Sequence, residues 1–586
     1  MDTAMRGQVG AAGQVAEAGA DATVASRRRL LSAWTGLGAA VGAARSIAAG
    51  ASGATGAVGV VGVGGVAALA AATSVRGQDA PMDVDPGALI HRLVNRITFG
   101  LTQAELAQAT SLGYAGYLEQ QLNPDAIAEE PSLLDRLAAL PTLSYSGAQL
   151  YDTGLVPNAT QIVNELIEAT ILRAVYSRRQ LFERMVEFWS DHFSIDINTE
   201  ETRYLKTLDD RAIRQHALGS FPALLNASAR SPAMLTYLDN DLSSSLSINE
   251  NYARELIELH TVGADYFYSY PASAVQATIV AVARCFTGWG RYNSSFNDTA
   301  GGTGTALRGQ FYYNTINLRN RVQINGSILG GVTAGAHDTG EKVLGTLFGS
   351  LEIPAGRTGA EGQQDGQEVL DALAAHPATA AYISRKMCKR FLGEGVAQSV
   401  IDRVAQEYLN ASNPQGIGDI RAMLRVMLSP NTLAGAFPRF KRPFHLFVHS
   451  MRVLPTNISS TSSLRTRLAT AGHLPFNWSP PDGYPDTTAY WTGQVLPRWN
   501  FCASLMTTTG GNPTGITGVT VDDATFFSGA TTPAAVMDRI DQALFGGLMP
   551  ASERAVIQAG LSASPTATQR RDAVSQALSA PSFNWY

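Results

Sequence analysis

Cysteine is nearly absent from this sequence: Cys285, Cys388 and Cys502 are the only three in 586 residues. They stand far apart in apolar or helical surroundings. That excludes a disulfide framework and a Cys/His zinc site, and buried free thiols are expected instead. Charge is also scarce, at 16% of residues with a net value of −5, against 45% hydrophobic residues. Such a chain has ample material for a core and lacks the basic excess that nucleic acid requires. The first eighty residues hold six basic and four acidic groups, a local +2 that leaves −7 on the remainder. A mildly acidic body has no general attraction to phosphate backbones, so no nucleic-acid partner is expected. No repeat of fixed period is visible, and the P-loop, the dinucleotide fingerprint and the G-x-S-x-G elbow are all missing. HExxH and ExxH pairs are missing too, so the sequence assigns no metal ligands and names no cofactor.

What is present begins with an export segment. Ser26-Arg27-Arg28-Arg29-Leu30-Leu31 resembles the twin-arginine signature, in which Ser-Arg-Arg and one further residue precede bulky apolar ones. An uncharged Ala- and Gly-rich stretch follows over 30–44. After Arg45 a second runs over 46–75, long enough to cross a bilayer but too rich in Gly for a good transmembrane helix. Cleavage near Ala67 to Ala72 and retention as an uncleaved anchor are the two outcomes; any membrane contact is confined to this signal. Residues 1–80 therefore read as an export signal with a low-complexity linker. The mature chain is expected in the periplasm or at the cell surface, carried there already folded.

The body reads as mainly α: one large helical domain over 86–579 with a Gly-rich, irregular or short-stranded insertion at 288–336 and an irregular segment at 475–520. Leu89, Leu93, Val94 and Ile97 fall at helical spacing, and Thr102-Gln103-Ala104-Glu105 has the form of a capping box. The apolar positions from Val163 to Trp189 keep one face for over seven turns and predict a single long helix over 162–189. Further helices are expected near 203–227, 250–262, 272–285, 366–375, 378–392, 398–409, 417–428, 443–453 and within 533–579.

The segment Asn249-Glu250-Asn251-Tyr252-Ala253-Arg254-Glu255-Leu256-Ile257-Glu258-Leu259-His260-Thr261-Val262-Gly263 resembles the NENYARELMEL signature of the bacterial family known as domain of unknown function 1800. Other pieces agree in order, among them Phe188-Trp189-Ser190-Asp191-His192-Phe193, His337-Asp338 with Lys342, His376-Pro377-Ala378-Thr379-Ala380 and Pro481-Asp482-Gly483-Tyr484. The resemblance implies an exported protein with a co-exported partner similar to the sulfatase and alkaline-phosphatase group. It implies no activity. The chain departs from the family at Ser190-Asp191, where His-Asn is frequent, and so lacks one histidine that a metal site would use.

Two functional readings follow from the polar residues. On a helix, Glu250, Arg254 and Glu258 line one stripe four residues apart, and Asn251, Glu255 and Glu258 share the adjacent face. Buried carboxylates in that position have raised pKa values, the tuning that hydrolysis requires of an acid and base. An extracytoplasmic hydrolase would use Glu255 and Glu258 as acid and base, with Arg254 and His192 organising charge. The bland reading is an i,i+4 ladder, entered through a Ser247-Ile248-Asn249-Glu250 capping box, in a helical scaffold or binding component of an envelope assembly. Asn249, Glu250, Asn251, His260, His337 and Asp338 are further candidates for ligand contact. His192, His216 and His260 are three histidines the fold could bring together. Asp338 with Glu341 reads as a helix start. Trp478, Tyr484, Tyr490, Trp491 and Trp499 form either a stacking platform for sugars or packing around a Pro-rich turn.

Overall fold

The computed structural model describes residues 85–199, 201–292, 307–314, 323–324, 327–328, 336–507 and 515–586. The export signal expected in 1–80 and much of the 288–336 excursion lie outside them. The body is mainly α, as its apolar spacing dictates. Helix α1 (Pro86–Ile97) starts behind Asp85, whose carboxylate accepts from the backbone N–H of Gly87 and Ala88. Helix α2 (Gln103–Leu122) starts behind Thr102, whose hydroxyl accepts from the N–H of Glu105. That bond satisfies a donor the first turn leaves free.

The long run at 162–189 is two helices rather than one, α3 (Ala159–Tyr176) and α4 (Gln180–His192). Ser177 between them is extended. The Gln180 amide donates to the freed carbonyls of Ala174 and Ser177, and Ser177 Oγ donates to Glu129 at 2.6 Å. With those groups satisfied, the chain turns at no hydrogen-bonding cost. The apolar stripe runs unbroken through the turn because each half serves a different core. Ile167, Ile171 and Leu172 pack into one cluster, while Leu181, Met185, Phe188 and Trp189 pack into another. Each such side chain contributes about 1.5–3 kcal/mol on burial. The stretch expected at 203–227 likewise divides into α5 (Thr202–His216) and α6 (Phe221–Ala229), with Pro222 in the first turn of the second.

Then come the short α7 (Asn251–Glu255), α8 (Ala272–Cys285), α9 (Gln363–Ala375), α10 (Pro377–Leu392), α11 (Gln398–Tyr408), α12 (Ile420–Met427) and α13 (Pro443–Arg452). The segment 475–520 is less irregular than its composition implies, since it holds α14 (Val495–Met506). This helix buries Phe501, Cys502 and Leu505 but leaves Leu496 and Trp499 more than half exposed, which blurs its apolar stripe. Helices α15 (Pro533–Ile540) and α16 (Ala567–Ser579) close the chain, and α16 packs on α14.

Among the described residues, strands occur as antiparallel pairs only. They join Trp289–Arg291 to Phe311–Tyr313, Gln323–Ile324 to Ser327–Ile328, Lys342–Val343 to Glu352–Ile353, and Thr456–Ile458 to Val519–Val521. The short-stranded reading of the excursion holds for its described part. Beyond it, the helix start expected at Asp338 is replaced by the strand Lys342–Val343. All three cysteines are free and buried. No helix among the described residues is long and apolar enough to cross a membrane.

Candidate functional site

The motif segment enters its helix through Asn249, not through the expected capping box. Asn249 Oδ1 accepts from the N–H of Asn251 at 2.9 Å, and the Asn249 N–H donates to Ser243 Oγ at 3.1 Å. Glu250 makes no cap bond and accepts from Gln276 at 2.8 Å instead. Asn251 donates through its side chain to the Leu238 carbonyl at 3.3 Å. Arg254 stands 3.8 Å from Glu250 and 3.6 Å from Glu258, and Tyr268 donates to Glu258. The ladder is therefore real, and it lies on the half-exposed face of the segment.

The opposite face is buried and carries Tyr252, Glu255, Leu256 and His260. After α7 the backbone widens into a π-turn over Leu256–His260, and Thr261 Oγ1 donates to the Leu256 carbonyl at 2.7 Å. Five residues apart on an ordinary α-helix, Glu255 and His260 would point to different sides. The wider turn brings both inward, a device frequent at functional sites. Glu255 is 9% exposed, and among the described residues no hydrogen-bond donor reaches its carboxyl. Burial pushes its pKa up to about 7, with Glu258 and Asp482 adding to the rise against the pull of Arg254. Burial also raises Glu258, an effect that Tyr268 and Arg254 only partly offset.

His192 ends α4 beside this face, 6.1 Å from His260 between ring centroids. Its Nε2 lies 3.1 Å from the His260 carbonyl oxygen, so that nitrogen carries the proton and donates. Nδ1 is left to accept from Lys386 Nζ at 2.9 Å. Burial and the nearby Lys386 hold His192 well below its ordinary pKa, and the same two causes push His260 down to about 3, so both rings are neutral. His216 makes no ring contact with them; it sits half-buried at the end of α5. Lys386, on α10, is pushed down to about 8 by burial, with Arg390 acting in the same direction and Asp486, Asp191 and Asp482 opposing. Asp482 is thus the shared electrostatic neighbour of Glu255, Lys386 and Tyr382.

Two glycines make the assembly possible. Gly263 has φ +89°, and a Cβ there would lie 2.6 Å from the Tyr382 ring. Gly483 has φ +75°, and its Cβ would lie 2.0 Å from the Asp191 carbonyl oxygen. Only glycine fits either position.

Beside this centre, at the seam of the two cores, is a charge network with no local signal in the chain. Arg390 binds Asp191 at 2.6 Å and Asp486 at 2.8 Å. Arg442 meets the same two carboxylates at 2.6 and 2.8 Å, and Arg439 reaches Asp486 at 2.7 Å. Glu187 accepts from His445 at 2.6 Å and from Arg184 at 3.2 Å. Burial acts to raise Asp486, but Arg390, Arg442 and Arg439 outweigh it and hold the carboxyl well below the usual range. The network ties α4, α10 and α13 to the loop around Asp486. A cleft with an empty volume of about 620 Å³, mouth included, runs along it, lined by Glu187, Ser190, Asp191, His473, Trp478 and Tyr484. Glu255 does not line it. Of the aromatic loop, Trp478, Tyr484, Tyr490 and Trp491 pack on one another, which favours the packing reading, while Trp499 stands apart on α14.

His337 and Asp338 lie elsewhere. His337 Nε2 is 3.1 Å from Asp365, which also holds Lys342 at 2.7 Å and Arg357 at 3.0 Å. Asp338 pairs with Arg284 at 2.8 Å. Among the described residues no group of three or more His, Cys, Asp or Glu side chains is placed to hold a metal ion.

Over residues 92–585 the sequence matches the family described as Protein of unknown function (DUF1800). The chain belongs to that family. No curated protein and no solved structure matches it. Within this DUF1800 chain, three of the stretches read from the sequence converge, and the helix begun by a fourth joins them. The Phe188–Phe193 stretch supplies His192, the Asn249–Gly263 stretch supplies Glu255 and His260, and Pro481–Tyr484 supplies Asp482. The helix that starts at His376-Pro377 supplies Lys386 two turns on. Sequence reasoning missed Lys386; its only local signal was a tyrosine four residues earlier, at Tyr382, on the same helical face.

Proposed function

We propose that this protein is an exported envelope component, a helical scaffold or binding protein that works with a co-exported partner of the sulfatase- and phosphatase-like group. The observation that carries this reading is how the candidate side chains are used. Arg254 with Glu250 and Glu258, His192 with Lys386 and His260, His337 with Asp365, and Asp338 with Arg284 all spend their polar groups on the protein itself. Such pairing builds a rigid body and leaves few groups free to turn over a substrate. The test is affinity capture of the tagged full chain from the exported fraction. Recovery of one such partner in stoichiometric amount, from wild type and Glu255→Gln alike, is the expected result; a chain recovered alone overturns it.

One observation favours a second reading, an extracytoplasmic hydrolase. Glu255 is a buried acid with no hydrogen-bond partner among the described residues and a pKa near neutrality, the property a general acid or base needs. Turnover of an ester or glycoside by the purified protein, abolished in Glu255→Gln without a loss of melting temperature, is the result that establishes it. Activity unchanged in that variant removes it.

A further inference from the structure

We propose that Lys386 is the reactive amine of this centre, a nucleophile that captures a carbonyl-bearing ligand, an aldehyde or a ketone, as an imine. This deepens the binding reading by naming a ligand class, and it rests on the centre facing a ligand.

The chain holds five lysines. Lys206 is 1% exposed and paired with Asp209 at 2.6 Å. Lys342 is 1% exposed and bound to Asp365 at 2.7 Å. Lys441 is 2% exposed and donates to the Phe583 carbonyl at 2.6 Å. These three are sequestered. Lys389 and Lys386 are half-buried and reachable. Lys389 lines a small pocket together with Glu394, Arg439 and Asp486.

Lys386 differs from the others in the partner it has. Its amine donates to the neutral Nδ1 of His192 and, among the described residues, is in ion-pair contact with no carboxylate. A carboxylate would fix the ammonium form by direct charge pairing; a neutral imidazole supplies an acceptor without a countercharge. The tautomer of His192 is in turn fixed by the His260 carbonyl, so the acceptor cannot turn away. The charged groups that face the amine are Asp191, Asp482 and Asp486 from other elements on one side of the balance and Arg390, on α10 itself, on the other; His192 and His260 are uncharged. The Tyr382 ring lies 5.5 Å from Nζ and gives the amine an aromatic wall. Burial in this setting brings the amine's titration down to about 8, so a useful fraction is uncharged near neutral pH. In the capture step the nitrogen lone pair adds to the carbonyl carbon. The two hydrogens of the free amine leave with the carbonyl oxygen as one water, and a C=N bond remains.

The test is limited reductive alkylation of the full chain with D-glyceraldehyde and cyanoborohydride at pH 7.5, read by peptide mass mapping. Lys386 is expected to be labelled on the order of tenfold faster than Lys389, with half-maximal rate near pH 8 rather than near the ~10.4 of a free lysine. Equal or faster labelling of Lys389, or a Lys386 profile like that of free lysine, overturns the proposal. Lys386→Arg removes the fast label. Recovery of the partner by that variant separates failure of this proposal from failure of the binding reading.

Discussion

Glu255→Gln isolates the buried acid. In the native protein this carboxyl titrates at about 7, against an ordinary value of 4.5. That difference corresponds to roughly 3 kcal/mol of preference for the neutral form. The stability carried by protonated Glu255 is fully present below pH 4.5. It is lost as pH rises through about 7, because the unfolded chain ionises freely while the folded one resists. Glutamine is neutral throughout and removes that loss. The buried histidines His192, His260, His445, His449 and His473, all lowered by burial, pull stability the other way on acidification. They do so in both proteins and cancel in the difference. With an unfolding entropy of about 2.1 cal/mol/K per residue over roughly 500 residues, 3 kcal/mol is about 3 °C. Thermal melts of both proteins from pH 4.5 to 8.5 should show the variant gaining about that much on its parent across the range. Two melting curves that move in parallel would refute a buried, unpaired Glu255.

Arg390→Met leaves Asp191 and Asp486 short of a guanidinium at the seam and should cost about 3–5 kcal/mol, seen as a lowered denaturation midpoint. Gly483→Ala places a Cβ against the Asp191 carbonyl at positive φ and should cost at least about 1–3 kcal/mol in the same assay. Arg254→Ala breaks only a half-exposed ladder and should change stability by no more than about 1 kcal/mol; a larger loss would mean that the ladder is buried in solution.

Local pattern in the chain set the helical class, most helix positions, the free buried thiols and the i,i+4 ladder, because each depends on residues within a turn or two of one another. The acidic motif was legible as a dense polar segment, but which of its carboxylates turns inward was not. That depends on the π-turn after Glu255 and on what packs over it. The break at Ser177 escaped notice for a similar reason: the apolar stripe continues on both sides because two different cores receive it. Lys386, Asp482 and the Arg390 network were invisible as a site, since the partners that define it lie some 40 to 260 residues away. An ion pair or a shifted pKa is a property of distance in space, and only the packing of α4, α10 and α13 around the Asp486 loop fixes those distances. Local spacing settles where most helices lie; only the folded packing settles which charges must share one buried place, because it alone brings distant residues together.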